Sequence, residues 1–248
     1  MEPVDGTPAG DLLAADSWLV DEGRVRGYDA HWARFSGWCA GALVAASEPP
    51  GFRAAVTAAL PRRGRWLPRV DLLGQADERR LLLRIRPAQP SRHDLRVRVL
   101  LAERGDPRSH PRLKGPDLPL LLGLRADAVA RGADELVLRD RAGRLVEGAL
   151  SSLVWWEDDV LCATPDELTL PSVTRELLFG LARERSVEVR RRSPFAAELD
   201  ECEAWLVNAA QGICVVGAWG PGGPAPGPGI RAVEWCAALA ATARHLDG

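Results

Sequence analysis

Lysine is almost missing from this chain of 248 residues: of 32 basic side chains, one is lysine, Lys114, and the other 31 are arginine. Tyrosine is equally scarce, with Tyr28 its single instance. The five cysteines are odd in number, widely spread and without a C-x-x-C pair. That pattern excludes a disulfide framework and a zinc knuckle, and it predicts free thiols in a reducing cytoplasm. The four histidines (His31, His93, His110, His245) stand singly, so no metal site is expected. No run of about 18 apolar residues exists, which argues against a membrane span. The acidic opening MEPVDGTPAGDLLAAD lacks a basic segment followed by an apolar one, so no secretory leader is expected. A net charge of −2 argues against a nucleic-acid binder, and arginine runs such as 190–192 read as solvated faces.

What remains is an ordinary globular composition, 46% hydrophobic and 27% charged. Residues 1–16 read as an extended or loop lead-in, and SWLVDEGRVR (17–26) as strand, turn and strand. Asp29 is placed to cap a helix running to about residue 47, and FRAAVTAAL follows as a short second helix. Three strands are expected at 65–73, 79–88 and 94–103, the last two alternating charged and apolar residues. The proline- and glycine-rich stretch 104–119 reads as a connection. Beyond it come a helix (119–131), strands at DELVLRD, LVEGALSSLVWW and DVLCATP, and a helix (173–185). The strand SVEVRRR, a short helix near AAELDEC, the strands AWLVNAA and GICVVGAWG, and a final helix (230–246) complete the chain. The expected fold is α+β in two parts: a smaller N-terminal α/β domain (1–113) and a larger C-terminal α/β domain (114–248).

Three features suggest chemistry. A desolvated lysine can lose its proton and attack a carbonyl carbon, a task arginine cannot perform. A lone lysine at a domain junction therefore fits a Schiff-base residue as well as it fits an exposed loop cation. Ser172 precedes an apolar-periodic helix, so the amides of Val173 and Thr174 would face an anion at its positive end. Glu147 interrupts a run that otherwise wants burial, and a carboxylate there needs a partner or a raised pKa, unless it faces water from an edge strand.

Taken in order, Lys114, Glu147 in V-E-G-x-x-S-S-L, then L-P-S-V-T-R, then V-N-A-A-Q-G-I resemble the fold type IV pyridoxal-phosphate enzymes. This is the class IV aminotransferase family, which includes branched-chain and D-amino-acid aminotransferases and 4-amino-4-deoxychorismate lyase. HWAR (31–34) resembles the family's H-x-x-R, and the likeness extends over about residues 16–217. It implies a two-domain D-amino-acid-aminotransferase-like fold with the cofactor, pyridoxal 5′-phosphate, in the interdomain cleft, and a homodimer. By the same resemblance Lys114 carries the internal aldimine and shuttles a proton, and Glu147 pairs with the pyridine nitrogen. Arg34, Val173 and Thr174 hold the phosphate.

Some positions depart from the family pattern. Its F-E-T appears as Asp16-Ser17-Trp18, and the tyrosine that branched-chain enzymes place soon after the lysine is absent. No hydroxyl follows Asn208, so a second phosphate contact there would fall to backbone amides. Trp155 and Trp156 are candidate substrate neighbours, and Arg108 and Arg112 candidate carboxylate binders. The expected activity is aminotransferase-like, on a small amino acid. Elimination of pyruvate from an amino-deoxychorismate-like substrate is the alternative, and a catalytically decayed binding or scaffold protein is the alternative of a different class.

Overall fold

The segment DLLAADS carries two aspartates among small residues and looks like a loop, yet it pairs as a strand. In a computed structural model describing residues 10–42, 51–75, 78–88 and 96–246, it forms β1 (Asp11–Ser17). Ala14, Ala15 and Asp16 are buried there; the Asp16 carboxylate is accepted in the interior because His31 and Arg34 meet it. After β1 come β2 (Val20–Asp21), β3 (Arg24–Arg26), α1 (Tyr28–Ala42) and α2 (Phe52–Ala59). The expected extension of α1 to residue 47 lies outside the described residues.

The long hairpin of β4 (Arg65–Gln75) and β5 (Glu78–Pro87) carries this first, wholly antiparallel sheet. β1 and β2 share the other edge of β4. Trp18, Trp32, Phe35, Val56, Val70 and Leu72 fill the core between α1, α2 and the sheet. Trp32 meets Phe35 edge-on at 6.0 Å, a contact worth about 0.5–1.5 kcal/mol beyond the area it buries.

The second sheet begins with β6 (Arg96–Gly105). It continues through α3 (Leu118–Ala130), β7 (Glu135–Arg139), β8 (Leu145–Gly148), β9 (Ser152–Glu157), β10 (Val160–Ala163), α4 (Val173–Glu184), β11 (Val189–Arg191), β12 (Ala204–Asn208) and β13 (Gly212–Trp219). Its order is β11-β10-β9-β12-β13-β6-β7-β8. The β10/β11, β13/β6 and β6/β7 pairs are parallel and the rest antiparallel. α4 and α5 (Ala232–Ala241) cover one face through Leu178, Phe179, Trp235 and Leu239.

Two details bear on the expected division at residue 114. β6 precedes that residue but pairs in the second sheet, and the last strand, β14 (Ala243–His245), returns to β3 in the first. The helix expected over 230–246 therefore stops at Ala241. Its final turn is lost because residues 243–245 find a strand partner in 24–26.

Candidate active site

Between the two sheets lies a cavity of about 800 Å³, lined among others by Ser17, Arg34, Lys114, Glu147, Val173 and Thr174. Lys114 reaches it from the loop after β6. Asp117 pinches that loop by accepting the Ser109 and His110 amides at 3.2 and 2.7 Å, and the Lys114 carbonyl accepts the Ala15 amide of β1 at 2.6 Å. Gly115 makes this docking possible: a Cβ there would stand 2.5 Å from the Leu13 carbonyl oxygen. Lys114 Nζ donates to Ser17 Oγ at 2.7 Å. Burial, aided by the nearby Arg34 and Arg69 charges, outweighs Asp16 and Asp71 and brings its amine down to about 8.

Ser17 follows Asp16, whose carboxylate takes Arg34 in a fork (Nε and Nη2, 2.8 Å each) and His31 Nδ1 at 2.8 Å. Burial opposes this charge, but Arg34 and His31 prevail and hold the Asp16 carboxyl well below the usual carboxylate range. His31 is pushed below its ordinary value by burial in spite of Asp16. Arg34 Nη1 donates to the Pro171 carbonyl, which sets the guanidinium beside the start of α4. Ser172 caps that helix, its side chain accepting the Arg175 amide at 3.3 Å. Val173 and Thr174, whose first-turn amides have no acceptor within the helix, line the cavity at the positive end of the helix dipole. Gly27, at φ +62°, lets the turn before α1 close on Val173: a Cβ there would lie 2.7 Å from Val173 Cγ1.

Glu147, the third residue of β8, is 3% exposed. Its Oε1 accepts Arg108 Nη1 and the Leu170 amide (2.9 Å), whereas Oε2 has only the Ser152 hydroxyl at 3.5 Å. Burial pushes this carboxyl up, against the pull of Arg108 and the Leu170 amide.

Lys114, Glu147, Arg34, Val173 and Thr174, picked from the sequence, thus share one cavity. Other candidates fall elsewhere. Trp155 and Trp156 are buried on the two faces of β9, Trp156 stacked edge-on with Trp205 and Trp235, so neither borders the cavity. Arg112 is exposed. Arg108 is buried and committed to Asp106, Glu147 and the Leu168 carbonyl, so it has no arm for a substrate carboxylate. The amides of Ala210 and Gln211 are taken by Asn208 Oδ1 at 3.0 and 2.8 Å.

Sequence reasoning missed a basic wall. Arg65 and Arg69 on β4 and Arg86 on β5 line the cavity, with Arg86 opposite Leu67 in the hairpin register and so between the other two. Alternate positions on one strand share a face, a signal present in RWLPR but masked by treating arginine runs as solvent-facing.

Comparison with known proteins agrees with this geometry. Residues 13–219 match the family described as amino-transferase class IV. The chain belongs to that family. No curated protein sequence matches it. Among solved structures it is similar to the pyridoxal-phosphate-bound form of a hypothetical aminotransferase from Mycobacterium tuberculosis (20% identity, TM-score 0.82, covering 98% of this chain and 95% of the other). It also resembles the branched-chain amino acid aminotransferase of Escherichia coli (17%, 0.75, 91% and 83%). A protein from Legionella pneumophila assigned as a 4-amino-4-deoxychorismate lyase is similar as well (17%, 0.76, 98% and 96%). As a class IV aminotransferase family member the chain is an enzyme whose cofactor is pyridoxal phosphate, of a family that acts on small-molecule amino acid substrates. The donor set suits that cofactor: one amine lowered to about 8, one buried carboxylate whose second oxygen has only the Ser152 hydroxyl at 3.5 Å, and a capped helix start beside an arginine.

Proposed function

We propose that this enzyme is an aminotransferase acting on a small acidic amino acid through Lys114, with the two-part division of the chain forming the walls of its cleft. The observation that carries the reading is the Lys114 amine, facing the same cavity as Glu147 and the α4 N-terminus. Arg34, whose Nη1 keeps one N–H beyond the bonds to Asp16, Pro171 and His31, would hold the phosphate together with the Val173 and Thr174 amides. Glu147 Oε2 would meet the ring nitrogen. When bound, pyridoxal phosphate supplies an electron sink for the bond broken at the substrate's α-carbon. Lys114 Nζ, freed once substrate has displaced it, would take and return the α-proton, with the Ser17 hydroxyl orienting the amine.

The substrate's carboxylates would meet the arginine wall. Arg69 and Arg84 stand directly opposite each other, a like-charge pair that destabilises a hairpin, and Asp71 compensates only these two. Arg86 has no carboxylate partner among the described residues. Arg65 Nε is ion-paired with Asp21 at 3.4 Å, and its Nη1 is buried without an acceptor. A buried unmatched donor of this kind can be met by an anion.

A second reading, elimination of pyruvate from an amino-deoxychorismate-like substrate, is favoured by Ser17, whose hydroxyl at 2.7 Å from Nζ could relay a proton to a leaving group. Mixing the protein with pyridoxal phosphate should give a visible absorption band that Lys114→Ala loses. Glutamate should bleach the band with release of a keto acid, and pyruvate release from aminodeoxychorismate would decide for the lyase. A band retained in Lys114→Ala would overturn the assignment of Lys114.

A further inference from the structure

The buried partner of Glu147 has no role in the chemistry described so far. Arg108 and Glu147 have side chains only 3% and 4% exposed and are in direct contact. Arg108 is held from every side. Asp106 accepts Nε at 2.9 and 3.0 Å and Nη2 at 2.7 Å, Leu168 O accepts Nη2 at 3.0 Å, and Pro111 O accepts Nη1 at 3.4 Å. With Glu147, this uses all five of its N–H groups. The anchors come from the loop before Lys114 and the loop before α4, the two segments that carry the rest of the site.

We propose that Arg108 is a positioning residue that acts on the cofactor through Glu147, keeping that carboxylate ionised and turned so that the cofactor's ring nitrogen retains its proton. The proposal rests on the reading of Glu147 given above. Its geometric basis is the division of labour between the two carboxylate oxygens of this cavity-lining residue: Oε1 is bound by Arg108 and the Leu170 amide, and Oε2 has only the Ser152 hydroxyl at 3.5 Å. Its electrostatic basis is distance. A ring nitrogen and a buried carboxylate compete for one proton, and burial alone would hand it to the carboxylate. Arg108 touches Glu147 directly at Oε1, whereas the ring nitrogen would be met by Oε2. Coulomb energy falls with separation, so the arginine favours the charged carboxylate more than it disfavours the charged ring. Without it, the proton would move from the ring nitrogen to Glu147 and leave two neutral partners.

The test is the ¹⁵N resonance of ring-labelled pyridoxal phosphate bound to wild type, Arg108→Lys, Arg108→Met and Asp106→Asn. Wild type and Arg108→Lys should show a protonated ring nitrogen. Arg108→Met should shift the resonance to the unprotonated position, and Glu147→Gln, run beside it, should do the same if Glu147 holds the ring nitrogen. Asp106→Asn, which loosens the arginine without removing it, should fall between and serves if Arg108→Met does not fold. A ring nitrogen that stays protonated in Arg108→Met, or, where that variant does not fold, a wild-type resonance in Asp106→Asn, overturns the proposal. Either result leaves the Lys114 reading standing, because that reading fails only if wild type gives no visible band or Lys114→Ala keeps it.

Discussion

Lysine and arginine differ most where a proton has to be given up, and the surroundings of Lys114 are arranged for that. With its amine at about 8, roughly one-tenth of the molecules carry neutral Nζ at pH 7; at the usual lysine value of about 10.4 the share would be roughly one in 2,500. The sign follows directly: covalent capture of pyridoxal phosphate needs the neutral amine. Its rate should therefore rise about tenfold per pH unit up to about 8 and level off above. Stopped-flow absorbance between pH 6 and 10 measures this, and a rate still climbing tenfold from 9 to 10 would contradict the buried, arginine-flanked setting. Lys114 and Glu147 were legible in the sequence because each breaks a local rule, one by rarity and one by standing in an apolar run. Arg108 was not. Its partners Glu147 and Leu168 lie 39 and 60 positions away, so only the folded chain separates it from the exposed arginine at 112.

At the scale of elements, the start of α4 joins a cap, a dipole and a cavity wall, and these can be separated. Ser172→Ala should destabilise the protein by about 1 kcal/mol, whereas Ser172→Gly should cost a few tenths. If the Val173 and Thr174 amides hold a phosphate, the alanine variant should bind pyridoxal phosphate about 3- to 10-fold more weakly. It should bind pyridoxal, which has no phosphate, unchanged. Equal weakening for both ligands in calorimetric titrations would mean that the helix start only supports the fold. This element was readable from L-P-S-V-T-R because the capping signal is local. β1 and β14 were not readable, since what makes them strands is remote: Asp16 is admitted to the interior by Arg34, and Ala243 pairs with Arg26 across the whole length of the chain. Alternation within a segment cannot report on a partner of that kind.

The whole molecule is tied together in a way that its ligand should reveal. β6 passes from the N-terminal part into the second sheet, β14 returns from the C-terminus to the first, and Arg26 on β3 donates to the Ala209 carbonyl at the edge of the cavity. The second sheet is one continuous stretch (β6 to β13), but the first is completed by β14 from beyond it and Arg26 bonds across, so the two should unfold together. A ligand bound between them then stabilises both. At a hundred times its Kd, pyridoxal phosphate should contribute about 2.7 kcal/mol, which for a chain of this length corresponds to a rise in Tm of roughly 5–11 °C in a single transition. Lys114→Ala should lose part of that rise, since the phosphate contacts remain while the covalent link is gone. Inorganic phosphate at the same multiple of its own Kd should give an equal shift, because mass action depends only on saturation; at equal concentration it should give much less. Scanning calorimetry distinguishes these cases. Two transitions, only one of them moved by pyridoxal phosphate, would show that the sheets melt separately and that the cavity is not shared between them.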